Sequence, residues 1–226
     1  MKLRTKIHRV RLGRDEYRVV TAAPQAGRAV LYDGDWSMQM YLDRQGAQDL
    51  AAAWALAARS RRSLVHLPLR AADGPAGLPW DIGPDGRLDL LLVHHSLGLP
   101  PSRWKEIRAR LGTGTPHTAD VPATDFPPEE AIDHDRRNFT GWLDELRFAG
   151  AAHTLVVTGS ATAFRWTGSW LHSLSREAPA FQHHHGRSPG SHYCITLRHN
   201  GNQFSSAAKG IPSMLHITYA HQWKVD

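Results

Sequence analysis

Imidazole titrates close to neutral pH, so it can carry a proton or, when neutral, bind a metal. Seven of the fifteen histidines of this chain, His183, His184, His185, His192, His199, His216 and His221, lie between residues 181 and 221. Arg187, Arg198, Lys209 and several serines accompany them. The stretch therefore offers proton carriers, metal ligands, hydroxyls and cations together. Its first part, 181–192, combines three consecutive histidines with Gly186, Pro189 and Gly190 and reads as a turn-rich loop. His183, His185 and His192 are the candidate ligands for zinc or another divalent metal, the basis of a metal-dependent hydrolase. Adjacent histidines diverge in strand and helix alike, and neither H-E-x-x-H nor paired C-x-x-C occurs. A solvated loop, or one facing another subunit of a larger assembly, is the competing expectation.

His216-Ile217-Thr218 lies in an apolar run, where strand alternation puts imidazole and hydroxyl on one face. His94-His95-Ser96 is a second such pattern, at the end of the apolar segment 88–93. These six residues resemble the paired motifs of the two-histidine phosphoesterases. The resemblance implies general acid/base cleavage of a phosphate-bearing substrate, a nucleotide or nucleic acid. His216 and either His94 or His95 would be acid and base, beside Thr218 and Ser96. Arg187 and Arg198 would hold the phosphate, because the guanidinium fork donates two parallel hydrogen bonds. Thr158-Gly159-Ser160-Ala161-Thr162, at another strand end, is similar to the first part of a dinucleotide-binding turn, without its remaining glycines or a Walker lysine. Gly159, Ser160 and Thr162 are thus further phosphate candidates, and a serine helix cap is the alternative.

The chain has 226 residues, a formal charge of +6 and a sequence pI near 9.8, which favours anionic partners. On the segment 102–111, Trp104, Ile107 and Leu111 form an apolar stripe while Arg103, Lys105, Arg108 and Arg110 supply the other face. Together with the basic opening 2–18, that helix is the candidate surface for a non-catalytic nucleic-acid-binding module. One cysteine, Cys194, excludes an intrachain disulfide and suits a reducing, cytoplasmic setting; between Tyr193 and Ile195 it reads as a small buried hydrophobe. No apolar run reaches membrane-spanning length, so no membrane partner is expected. No G-x-S-x-G elbow supports a serine hydrolase.

These residues need elements to position them. Alternation predicts strands over 2–12, 16–21 and 29–32, with Gly13-Arg14-Asp15 as the first turn. Asp43 is placed to cap a helix over 45–59, whose Ala47, Leu50, Trp54 and Ala57 share a face. Strands follow over 63–69 and 88–93, separated by a Gly/Pro/Asp-rich insertion at 71–86. Ser102 should cap the basic helix and Gly112 end it. A second irregular insertion spans 112–128, before a helix expected over 129–149 from the stripe Ile132, Phe139, Trp142, Leu143 and Leu146. A strand over 153–157, a helix carrying Ala163, Trp166, Trp170 and Leu174, and strands over 193–198 and 214–219 complete the chain. The class is α/β: a mixed sheet with helices packed on it and antiparallel strand pairs at both chain ends, in one domain over 1–226.

Overall fold

The fold is organised around the apolar strand that ends at His94. In the computed structural model, residues 1–22, 28–34, 37–72, 74–75, 86–133, 144–185, 192–198, 213–221 and 223 are described. The opening hairpin pairs β1 (Lys2–Leu12) with β2 (Asp15–Ala22). There follow β3 (Ala29–Asp33), β4 (Met38–Leu42), helix α1 (Arg44–Arg59), β5 (Ser63–Leu67) and β6 (Asp89–His94). Helix α2 (Trp104–Ala109), β7 (Thr115–Asp120), β8 (Arg147–Gly150), β9 (Thr154–Gly159), helix α3 (Ala161–His185), β10 (Cys194–Arg198) and β11 (Met214–Tyr219) complete the order.

The class is α/β, with two mixed sheets where the sequence suggests one. Seven strands run β7-β1-β2-β5-β6-β9-β8, and four run β10-β11-β4-β3. Both chain ends carry an antiparallel pair, β1 with β2 and β10 with β11. Parallel pairs join β2 to β5, β6 to β9 and β11 to β4. Helix α1 packs on β1, β5 and β6 of the large sheet and on β4 of the small one, while α3 packs on β9 and β10. The two helices therefore form a layer between the sheets. Alanines at 51, 52, 53, 55, 57 and 58 keep α1 thin enough to be buried on every side. Asp43 caps it as expected, its Oδ1 accepting the Gly46 amide at 2.7 Å. Trp54 anchors α1 to α3, its indole N–H donating to Thr167 Oγ1 at 2.9 Å and its ring meeting Phe164 edge to face at 5.8 Å.

One apolar cluster runs through this layer and unites both sheets, from Leu3, Leu90 and Leu92 to Leu197, Leu215 and Ile217. A second cluster lies on the far face of the large sheet, where Leu91, Val93 and Val156 pack under Trp104 and Ile107 of α2. β6 is thus covered on both sides, which explains its uninterrupted leucines. No described helix is long and apolar enough to cross a membrane.

Four sequence expectations need correction. The helix expected over 129–149 is a short 3-10 turn at Glu129–Ala131 and, from Arg147, the edge strand β8; residues 134–143 lie outside the described ones. Leu146, read as part of a helical stripe, and Phe148 point to the core two residues apart, as strand residues do. The irregular insertion at 112–128 contains β7, which the backbone of β1 recruits despite Pro116 because β7 sits at the sheet edge. The loop placed at 181–192 begins as helix, since α3 continues to His185. Ser102 makes no cap: it lies in the 3-10 turn Pro101–Arg103 that leads into α2 without a side-chain cap.

Candidate metal centre

Strand alternation assigns each face of the small sheet. Leu197, Leu215 and Ile217 point into the core, so Cys194, Thr196 and Arg198 of β10 point outward with Met214, His216 and Thr218 of β11. The register places Thr196 opposite His216 and Cys194 opposite Thr218. His216 is therefore the diagonal neighbour of Cys194. His192 lies two residues before Cys194 and comes to the same place, its ring 6.2 Å from that of His216. Tyr193 fixes the approach by turning the other way. Its hydroxyl donates to Glu177 at 2.6 Å and its ring meets Phe181 at 5.4 Å, both on α3.

One ligand atom from each of His192, Cys194 and His216 lies within 4.8 Å of the other two. Zinc bonds of about 2.0–2.1 Å to nitrogen and about 2.3 Å to sulfur put tetrahedral ligands roughly 3.3–3.7 Å apart, so rotamer adjustment of an ångström closes the set. Burial, and then the neighbouring His192, lower the His216 pKa, which favours the neutral ring. Burial raises that of Cys194. Thr196 Oγ1 stands 3.0 Å from His216 Nδ1. With Nδ1–H donating to that hydroxyl, the Nε2 lone pair faces outward, the arrangement in which metal-ligating histidines are held. Two imidazoles and a thiolate suit zinc and other thiophilic transition ions and discriminate against magnesium or calcium. Three protein ligands leave a tetrahedral ion one position for water or substrate.

The other sequence candidates are distributed over the molecule. His183 is exposed on the last turn of α3, its ring 5.3 Å from that of His184. The side chain of His185 and all of Arg187 and His199 lie outside the described residues. His216 and Thr218 do share a face. His94 belongs to the large sheet, across the helical layer, whereas His216 points away from that layer, so the two imidazoles do not meet. His94 is buried, and its Nδ1 accepts the Ser96 amide at 3.2 Å and lies 2.8 Å from Ser96 Oγ. Burial first, then His95 and Arg61, lower its pKa. His95 is exposed, its ring 4.8 Å from that of His94.

The two suggestive strand ends are adjacent, because His94 pairs with Gly159 across the parallel β6–β9 ladder. Ser160 Oγ accepts the Ala163 amide at 3.0 Å and so caps α3. A Cβ at Gly159 would come 2.8 Å from Leu146, ahead of β8, and 3.3 Å from Phe164 of α3, so this glycine permits close packing against both. Thr162 is half-buried in the first turn. On α2, Arg108 turns inward, its Nη1 3.3 Å from both Asp89 Oδ2 and Thr154 Oγ1. Arg103 pairs with Asp15 and Glu106, and Arg110 donates to the Arg11 carbonyl. Lys105 is exposed.

Cys194 is the member of the cluster that reading the sequence missed. The signal was His192-x-Cys194, a same-face pair if the strand is entered early, set against a second same-face pair at His216-x-Thr218. Comparison with known proteins finds no family model, no curated protein and no solved structure that matches this chain.

Proposed function

We propose that the protein is a metal-dependent hydrolase whose centre is a zinc-class ion held by His192, Cys194 and His216 on the outer face of the small sheet. The observation that carries the reading is the convergence of the three ligand atoms within 4.8 Å. A divalent ion held by these three residues would make a water bound to it more acidic. In the hydrolytic step the water loses a proton, its oxygen bonds to the electrophilic centre of an ester, and the leaving oxygen departs with the bonding pair and takes up a proton. The two-histidine mechanism is less well supported, because His94 and His216 face different surroundings.

Titration of the metal-free chain with zinc against a chromogenic chelator tests this. One equivalent should bind, Cys194→Ser and His216→Ala should each abolish tight binding, and ester turnover should require the metal. Binding that survives both substitutions would overturn the reading.

A second reading, nucleic-acid binding, is favoured by one observation on β1. Lys2, Arg4 and Lys6 share a face and are all exposed where α2 leaves the large sheet uncovered. Strand geometry spaces them by about 6.8 Å, a regular row of cations for a phosphate backbone. Three phosphate contacts give single-stranded oligonucleotide binding a slope of about −2 in log K against log salt. A flat response would exclude it.

A further inference from the structure

Strands β4 and β11 run parallel with Leu42 opposite Tyr219, so their carboxyl ends lie side by side. Helix α1 starts directly after β4, capped by Asp43, and its N-terminus comes to the same place. Carboxyl ends of parallel strands beside a helix start are where α/β sheets hold ligands. A cleft of about 450 Å³ opens there, a volume in the small-molecule range. Its described walls are polar and include no aliphatic side chain, which suits a hydrophilic occupant. Asp43 is their one carboxylate. Its Oδ1 accepts the Gly46 amide at 2.7 Å and its Oδ2 lies 3.7 Å from Arg28 Nε, so Arg28 offsets its charge. Arg44 has no carboxylate at ion-pair distance among the described residues. Its guanidinium is the surplus charge of the cleft, and the positive end of the α1 dipole has the same sign.

Tyr219 is the side chain that points to a ligand. It is only 9% exposed, with its ring in the core cluster, and its hydroxyl reaches the cleft beside Asp43 and Arg44. No described residue gives that hydroxyl a hydrogen-bond partner. Burial, and then Asp43, raise the Tyr219 pKa, so the phenol stays a proton donor. A largely buried donor at a cleft wall is satisfied when an occupant accepts from it. Gln48 stands one helical turn beyond Arg44 on the same wall and offers a carboxamide, whereas Gln45 is engaged with Asp49 at 2.9 Å.

We propose that this cleft is a binding site, independent of the metal centre, for a small hydrophilic organic anion, a phosphate ester or a hydroxy acid. Its oxyanion lies between Arg44 and the Tyr219 hydroxyl at the start of α1, and its hydroxyl groups bond to Gln48. Phosphate and carboxylate oxygens both accept from a guanidinium and a phenol, so the shared chemistry is an oxyanion on a hydroxyl-bearing carrier.

The test is calorimetric titration of the full chain with glycerol phosphate, with malate and with uncharged glycerol, in chelator and again with zinc. At least one of the two anions should bind saturably in chelator, and the tighter of them identifies the oxyanion. Arg44→Gln should weaken it about tenfold or more, the worth of one hydrogen bond to a charged group. Tyr219→Phe should weaken it severalfold with an unchanged urea midpoint, since the lost hydroxyl has no partner in the fold. Arg62→Gln, an exposed cation past the opposite end of α1, should leave binding unaltered. Binding of neither anion, equal binding of glycerol, or equal weakening by Arg62→Gln and Arg44→Gln would each overturn the inference. Normal binding by Tyr219→Phe would do the same, and binding that appears only with zinc would move the anion to the metal and remove this site.

Discussion

Thr196→Val isolates how the fold prepares His216. Valine retains the branched shape of threonine in β10 and removes only the hydroxyl that stands 3.0 Å from His216 Nδ1. The ring keeps its strand position but loses the partner that fixes its tautomer and rotation. Outer-shell partners of this kind are worth about 10–100-fold in metal affinity, or roughly 1.4–2.7 kcal/mol. Because Thr196 is only half-buried, the same hydrogen bond contributes about 0.5–1.5 kcal/mol to the metal-free fold, a loss that urea denaturation measures separately. Chelator competition at fixed pH should therefore show zinc affinity falling by at least tenfold while the metal-free protein stays folded. Unchanged affinity would refute the claim that Thr196 orients the ligand. The substitution leaves all three ligands in place, so a merely structural role for Thr196 would move only the urea midpoint.

Three further outcomes follow from buried groups elsewhere. Asp89 accepts the Arg70 amide at 3.1 Å and lies 3.3 Å from Arg108 and 3.6 Å from His66; burial alone would raise its pKa, but the interaction with His66, then Arg70 and Arg108, outweighs it and holds the carboxyl low. Asp89→Ala leaves the partly exposed Arg108 with Thr154 alone and should cost about 1–3 kcal/mol in urea, and an unchanged urea midpoint would contradict the pairing. His8 and His94 both have pKa values lowered, in each case first by burial. The unfolded chain therefore binds protons first as pH falls below about 6.5, so stability present at neutral pH should decline through the folded pKa values; urea midpoints that do not drop between about pH 7.5 and pH 5.5 would contradict this. Gly46→Ala gains about 1 kcal/mol of helix propensity, yet its new methyl would overlap the Arg28 carbonyl. The variant should lose stability on thermal unfolding, and a gain would show that the backbone yields there.

The readable parts of this fold are those whose signals are local. Asp43 and the three- and four-residue spacing of α1 announce that helix, and the unbroken leucines of β6 announce a strand covered on both faces. The elements that escape are those that another strand recruits. β4 is five residues long and lies parallel to β11, a partner far along the chain. β7 is mostly exposed and exists as a strand because β1 offers it a backbone. β8 misleads because Leu146 and Phe148, two apart, sit in a stretch whose other apolar residues mimic a helical stripe. The division into two sheets is of the same kind. It follows from where a buried, alanine-rich helix can lie, since the stretch 50–58 of α1 is apolar all round and requires a layer on each side.

The candidate centre obeys the same logic at finer scale. Strand alternation alone places His216 with Thr218, and could place His192 with Cys194, because same-face residues recur every second position. It cannot say that the two pairs adjoin. That depends on the register of β10 against β11, which sets Thr196 against His216. The register is held by Leu197, Leu215 and Ile217, all fully buried against the helical layer. A slip of one residue would turn His216 into that core and bring Ile217 out beside the thiol, exchanging a ligand for a methyl group and burying an imidazole at once. The ligand set is thus a consequence of hydrophobic burial on the opposite face, and weakening that burial should loosen metal affinity through residues that touch no metal.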